Sequence, residues 1–141
     1  MDNIDLSRFI EAHQQSYQRA LKEIRNGRKT SHWMWYVFPQ MKGLGCSSLA
    51  QYYAIHSLGE AAAFLHDPYL GRNLLEICHA LTALKTNNAA EIFGSPDDLK
   101  LKSSMTLFSL VPNADPVFQD VLNKYYSGER DRRTLKILGV L

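Results

Sequence analysis

Cysteine is scarce in this 141-residue chain: only Cys46 and Cys78 occur. Two such residues make neither a disulfide framework nor a C-x-x-C motif of redox or zinc type. A reduced, cytoplasmic protein is the reading. Long apolar runs are also missing. No window approaches the roughly 18 unbroken apolar residues of a membrane span, so a membrane is not an expected partner. Met1-Asp2-Asn3-Ile4-Asp5 carries acids where a secretory signal would carry an apolar stretch. Net charge is small: 16 Lys and Arg against 14 Asp and Glu leave +2. That is too mild to imply nucleic acid. His13, His56, His66 and His79 show no zinc-ligand spacing, so neither a metal nor a cofactor is expected. Repeats, low-complexity tracts and Pro/Gly/Ser-rich linkers do not occur.

What remains is ordinary globular material, 45% apolar, of a length that one domain over residues 1–141 accommodates. Helix signals recur. Leu6, Phe9, Ile10, His13, Tyr17, Ala20, Leu21 and Ile24 fall at steps of three and four, which stacks them on one face. Gly27 is placed to close that helix. Ser47 or Ser48 starts a short helix, and Ser57-Leu58-Gly59-Glu60 fits a capping box. Asp67-Pro68 opens a helix reaching about Lys85. Asn88 to Phe93 is one or two turns closed by Gly94. Ser95-Pro96-Asp97-Asp98 starts a helix to about Leu110, with acids facing the helix dipole. Asp115-Pro116 opens the next, and Asp131 caps the last. The expectation is an all-α, single compact multihelical domain of six to eight helices. Trp33 to Phe38 alone has strand-like content, and an extended segment is the alternative there.

That segment lies within Ser31-His32-Trp33-Met34-Trp35-Tyr36-Val37-Phe38-Pro39-Gln40, which holds both tryptophans of the chain. Such a stretch is either the centre of a core or the wall of a pocket. Trp33 and Trp35 can stack on a base. If extended, alternation puts both on one side. Arg28 and Lys29 precede His32, and nearby cations favour a neutral imidazole able to take or give a proton. A buried histidine bonded to a carbonyl is the plainer reading. In Gly43-Leu44-Gly45-Cys46-Ser47-Ser48, Gly43 and Gly45 allow close backbone approach, and a helix starting near Ser47 favours an anion. The plainer reading is a serine cap, and the full dinucleotide fingerprint is missing. Lys100, Ser103, Ser104 and Thr106 form the second unusual segment. Hydroxyl side chains inside a helix compete for backbone bonds. On an inward face they either let helices approach or line a polar pocket, where Lys100 or Lys102 would meet an anion.

These two segments carry a family resemblance. The run 31–40, Gly43-Leu44-Gly45, Tyr53-Ala54-Ile55, Glu60-Ala61, Pro68, Leu70-Gly71 and Lys100-Leu101 resemble the family known as domain of unknown function 1810. So do Ser103-Ser104-Met105-Thr106-Leu107-Phe108, Asp131 and Thr134-Leu135. Tyr36 stands where phenylalanine is commoner. The likeness runs from Phe9 to Leu138 and implies a mostly bacterial, mainly helical single domain with no established activity. A fainter likeness to domains that cleave N-glycosidic bonds of ADP-ribose derivatives rests on the spacing of Glu60, Lys100 and Asp131.

Three functions follow as expectations. The first is an enzyme or binding domain for a nucleotide-like small molecule, related to ADP-ribose or NAD. Trp33, Trp35, Gln40, Gly43, Gly45, Ser47, Lys100, Ser103, Ser104 and Thr106 would bind it. If it hydrolyses an N-glycosidic bond, Glu60 or Asp98 supplies the carboxylate and His32 the proton. The second is a single-stranded nucleic-acid module, using Arg19, Lys22, Arg25, Arg28 and Lys29 beside the rings, although the small net charge speaks against that partner. The third is an interaction domain with no ligand.

Overall fold

The computed structural model describes residues 4–141. Met1 to Asn3, where the N-terminal reading begins, lie outside the described residues. Among the described residues the elements are all helical: α1 (Ser7–Arg25), α2 (Met34–Val37), α3 (Ser48–Tyr52), α4 (Leu58–His66), α5 (Pro68–Ala83), α6 (Ala89–Phe93), α7 (Asp97–Ser109), α8 (Val117–Tyr126) and α9 (Arg132–Ile137). The all-α expectation holds. Among the described residues the count exceeds six to eight by α2, whose four residues are too few for periodicity to reveal. No described helix is long and apolar enough to cross a membrane.

The element boundaries follow local chemistry. α1 buries Phe9, His13, Tyr17, Ala20, Leu21 and Ile24, the face its spacing defines. Its end is a Schellman motif. Gly27 adopts φ +77° and donates to Ile24 O at 2.8 Å, while Arg28 N donates to Glu23 O at 3.0 Å. Ser47 caps α3 by accepting from Ala50 N at 3.1 Å. Ser57 caps α4 by accepting from Glu60 N at 3.0 Å. Asp67 accepts from Tyr69 N and Leu70 N at 3.1 and 2.9 Å, with Pro68 in the first turn of α5. Asp131 accepts from Thr134 N at 2.9 Å and starts α9.

α5 is the central element, packed on α1, α4 and α8, while α7 packs on α4, α6, α8 and α9. Phe64, Leu74, Ile77, Met105, Phe108 and Phe118 meet between them, all fully buried. Each such side chain contributes about 1.5–3 kcal/mol by leaving water. α4 bends into α5 so tightly that Gly71 faces the Leu65 carbonyl with no room for a Cβ.

The ring-rich segment decides between the two readings of residues 33–38. Residues 34–37 form a helical turn, not an extended strand. Residues two apart on a helix point about 200° apart, so Trp33 and Trp35 do not share a side. Trp33 is 1% exposed, whereas Trp35 is only partly buried at the edge of the core. The loop after α2 is held by a parallel bridge between Met41 and Ile55, with Ile55 N donating to Gln40 O at 2.8 Å and Lys42 N to Ile55 O at 2.8 Å.

Candidate functional site

Two buried polar anchors set the position of the ring-rich turn. The first is Glu23, on the inward side of α1 and 7% exposed. Its Oε1 accepts from Thr30 N at 2.7 Å, Ser31 N at 3.0 Å and Trp33 Nε1 at 2.9 Å, and its Oε2 accepts from the Ser31 hydroxyl. Burial alone would raise this carboxyl's pKa, but the four donors reverse the sign and bring it down to about 2. The second anchor is His13. Its Nε2 donates to Tyr36 O at 2.8 Å, and the Asn73 amide donates to its Nδ1 at 3.1 Å. Burial brings its pKa down to about 4, leaving it a neutral imidazole that ties α1, α2 and α5 together. Sequence spacing placed His13 on the inward face, but nothing in it marked Glu23, which falls beside the apolar stripe of α1.

Between these anchors and α7, two hollows adjoin and share Gln40, Gly45 and Lys100. The inner one, walled by Trp35, Phe38, Met41 and Tyr53, measures only about 10 Å³, room for about one water. The outer one is a cleft of about 350 Å³, lined also by Leu44, Pro96, Leu99, Lys102, Ser103, Asp131 and Arg133. α7 supplies the floor, the α2–α3 loop one wall and the start of α9 the other. α9 is fixed there because Asp131 N donates to Thr106 Oγ1 at 2.9 Å, and Thr106 Oγ1 in turn donates to Lys102 O at 2.8 Å.

The cleft is rich in donors. Lys100 Nζ stands 5.9 Å over the Trp35 ring and 3.5 Å from Asp97 Oδ1. Asp97 Oδ2 also pairs with Lys29 at 2.9 Å, and Lys29 lies 5.1 Å over the Trp33 ring. Lys102 pairs with the exposed Glu129. Among the described residues, the Trp35 indole N–H, the Gln40 amide and the Arg133 guanidinium have no hydrogen-bond partner inside the protein. Asp131 Oδ2 is occupied by Thr134 N and the Thr134 hydroxyl.

Of the residues singled out in the sequence, Trp35, Gln40, Gly45, Lys100, Lys102, Ser103 and Asp131 come together around these hollows. The others lie elsewhere. Trp33 is buried on Glu23. His32 is exposed in the turn before α2 and lines neither hollow. Glu60 pairs with Arg8 at 2.9 Å, and Arg8 Nη2 also donates to Ala54 O at 2.9 Å, so this carboxylate ties α4 to α1. Asp98 lines neither hollow; its carbonyl accepts from the Tyr126 hydroxyl, and its Oδ1 is buried without a partner. Gly43 and Ser47 are exposed outside the hollows. Ser47 spends its oxygen on the cap of a five-residue helix, the plainer of its two readings. Ser103 back-bonds to Leu99 O at 3.2 Å, Ser104 is fully buried with its hydroxyl unpartnered, and Thr106 is the pin for α9. Arg133 was not legible as a site residue. Only the docking of α9 on Thr106 brings it to α7, and no local motif encodes that.

Residues 3–138 match the model of the family described as "Protein of unknown function (DUF1810)". The crystal structure of the conserved hypothetical protein Rv1873 from Mycobacterium tuberculosis is similar to this chain, with a TM-score of 0.95 and 48% identity over 99% of this chain and 100% of that one. Among curated proteins, none matches.

Proposed function

The chain belongs to the DUF1810 family, whose description assigns no activity, and from its own cleft we propose that it binds a small, anionic, nucleotide-like ligand. The carrying observation is the convergence of Lys100, Lys102 and Arg133 with the unpartnered Gln40 amide in one cleft of about 350 Å³, beside the apolar Leu44, Pro96 and Leu99. Small-molecule sites measure about 300–1,000 Å³ and combine apolar walls with a few aimed polar groups. The Arg133 guanidinium and the Gln40 amide are matched by phosphate and carbonyl oxygens, while Lys100 and Lys102 would exchange part of their pairing with Asp97 and Glu129 for the ligand.

Binding is better supported than N-glycosidic hydrolysis. Hydrolysis needs a carboxylate at the reacting bond. Glu60 is held by Arg8, while His32 and Asp98 lie outside the cleft. The carboxylate in its lining, Asp131, is already used as a helix cap. A single-stranded nucleic-acid module would need open rings, but Trp33 is 1% exposed and Lys100 covers Trp35. Cytoplasmic placement belongs to the same proposal: Cys46 is exposed and free, a state that suits a reducing compartment.

Thermal unfolding with AMP, ADP-ribose and NAD tests the proposal. A ligand at about a hundred times its Kd adds about 2.7 kcal/mol, or roughly 5–10 °C in Tm for a domain of this size. Lys100→Ala should remove the rise while leaving the ligand-free Tm nearly unchanged. No rise with any of the three, at millimolar concentration, would leave the ligand-free interaction domain as the better reading.

A further inference from the structure

Resting on the proposed binding cleft, a finer assignment follows from its length and the order of its charges. Along α7 and the Pro96 that precedes it the lining runs Pro96, Leu99, Lys100, Lys102, Ser103, a rise of about 10 Å of helix. Apolar groups occupy the N-terminal end. At the other end α9, pinned to Thr106, brings Arg133 and Asp131 into the lining that also holds Lys102 and Ser103. The volume of about 350 Å³ lies at the low end of small-molecule sites. The inner hollow of about 10 Å³ extends it by no more than about one water.

We infer that the cleft takes a compact phosphomonoester: one phosphate at the Lys102–Arg133 end and one sugar or ring against Leu44, Pro96 and Leu99. A dinucleotide carries a second nucleoside for which the cleft has no room. Glu129 is the counter-ion this phosphate displaces. Its carboxylate pairs with Lys102 and is 69% exposed, so it can return to water at little cost. Asp97 keeps its second partner, Lys29, when Lys100 turns to the ligand. The recognition chemistry is a charge-assisted fork from Arg133 with point charges from Lys100 and Lys102.

Calorimetric titration of the intact chain with AMP, ribose 5-phosphate, ADP-ribose, NAD and inorganic phosphate tests this. AMP or ribose 5-phosphate should bind at least about tenfold more tightly than ADP-ribose, NAD or inorganic phosphate, a difference of about 1.4 kcal/mol. Arg133→Ala should weaken that binding by about tenfold or more, the size expected for a lost charge-assisted bond. Glu129→Gln should tighten it severalfold by removing the competitor. Tighter binding of ADP-ribose or NAD would overturn the single-phosphate assignment while the nucleotide-like reading stands. Inorganic phosphate binding as tightly as the monoesters would overturn it too, since the apolar end would then contribute nothing. Glu129→Gln leaving affinity unchanged would remove Glu129 from the assignment. Binding by none of the five would end both.

Discussion

Glu23 places a charge among core residues, and it is tolerated because four donors surround its two oxygens. Its folded pKa of about 2 lies below the ordinary 4.5. Above about 4.5 the carboxylate is ionised in both states, and its contribution to stability is complete. As pH falls from there through about 2, the unfolded chain takes up the proton first and the contribution is lost. The shift corresponds to on the order of 3 kcal/mol. Urea unfolding should therefore show a steep loss between pH 4.5 and 2 that is smaller in Glu23→Gln, which has no proton to take up. The same slope in both proteins would show that the carboxylate is not held as described. His13 adds a separate window: its pKa of about 4 lies below the ordinary 6.5, so its share is lost between those values. Spacing revealed His13 as inward-facing but not that both ring nitrogens are committed. Glu23 stayed hidden because a carboxylate one step off an apolar stripe looks solvated until the turn at 30–33 folds over it.

Capped helices were legible because caps are local. Ser47, Ser57, Asp67, Asn88 and Asp131 each bond a backbone N–H two or three residues ahead. The single turn at α2 was not legible, since four residues show no period and aromatic content suggests a strand. The bend from the end of α4 into the first turn of α5 depends on Gly71. Helix propensity alone would have Gly71→Ala stabilise by about 1 kcal/mol. A Cβ there, however, would lie 2.0 Å from the Leu65 carbonyl oxygen, which is backbone and cannot step aside. Overpacking of this kind costs about 1–3 kcal/mol or more, so the net change should be a loss. Gly59, in α4, is the control: its Cβ would meet only Ser57 Oγ at 3.6 Å, an ordinary contact. Gly59→Ala should raise stability by about 0.4–1 kcal/mol. Opposite shifts of the urea midpoint are expected, and a Gly71→Ala protein as stable as the parent would mean that the bend is not so tight.

At the scale of the molecule, the core and the cleft divide the ring-rich segment between them. The sequence presented its two tryptophans as equivalent neighbours. Helical winding sends one inward to Glu23 and leaves the other at the surface under Lys100. The partners of the cleft, α7 and the start of α9, come from distant parts of the chain, which is why Lys100 and Ser103 were visible as candidates and Arg133 was not. This division separates stability from binding. Trp33→Ala should cost about 3–5 kcal/mol as a core deletion, and it also strips a donor from the buried Glu23 carboxylate. Trp35→Ala should cost much less, because its ring is only partly buried. It should nevertheless weaken the binding proposed for the cleft, because Lys100 loses the ring that holds it in place. Urea unfolding of the two variants, with AMP titration of the Trp35 variant, reads both halves. Equal losses of stability would mean that both indoles belong to the core and that Trp35 does not serve as a platform for Lys100 at the edge of the cleft.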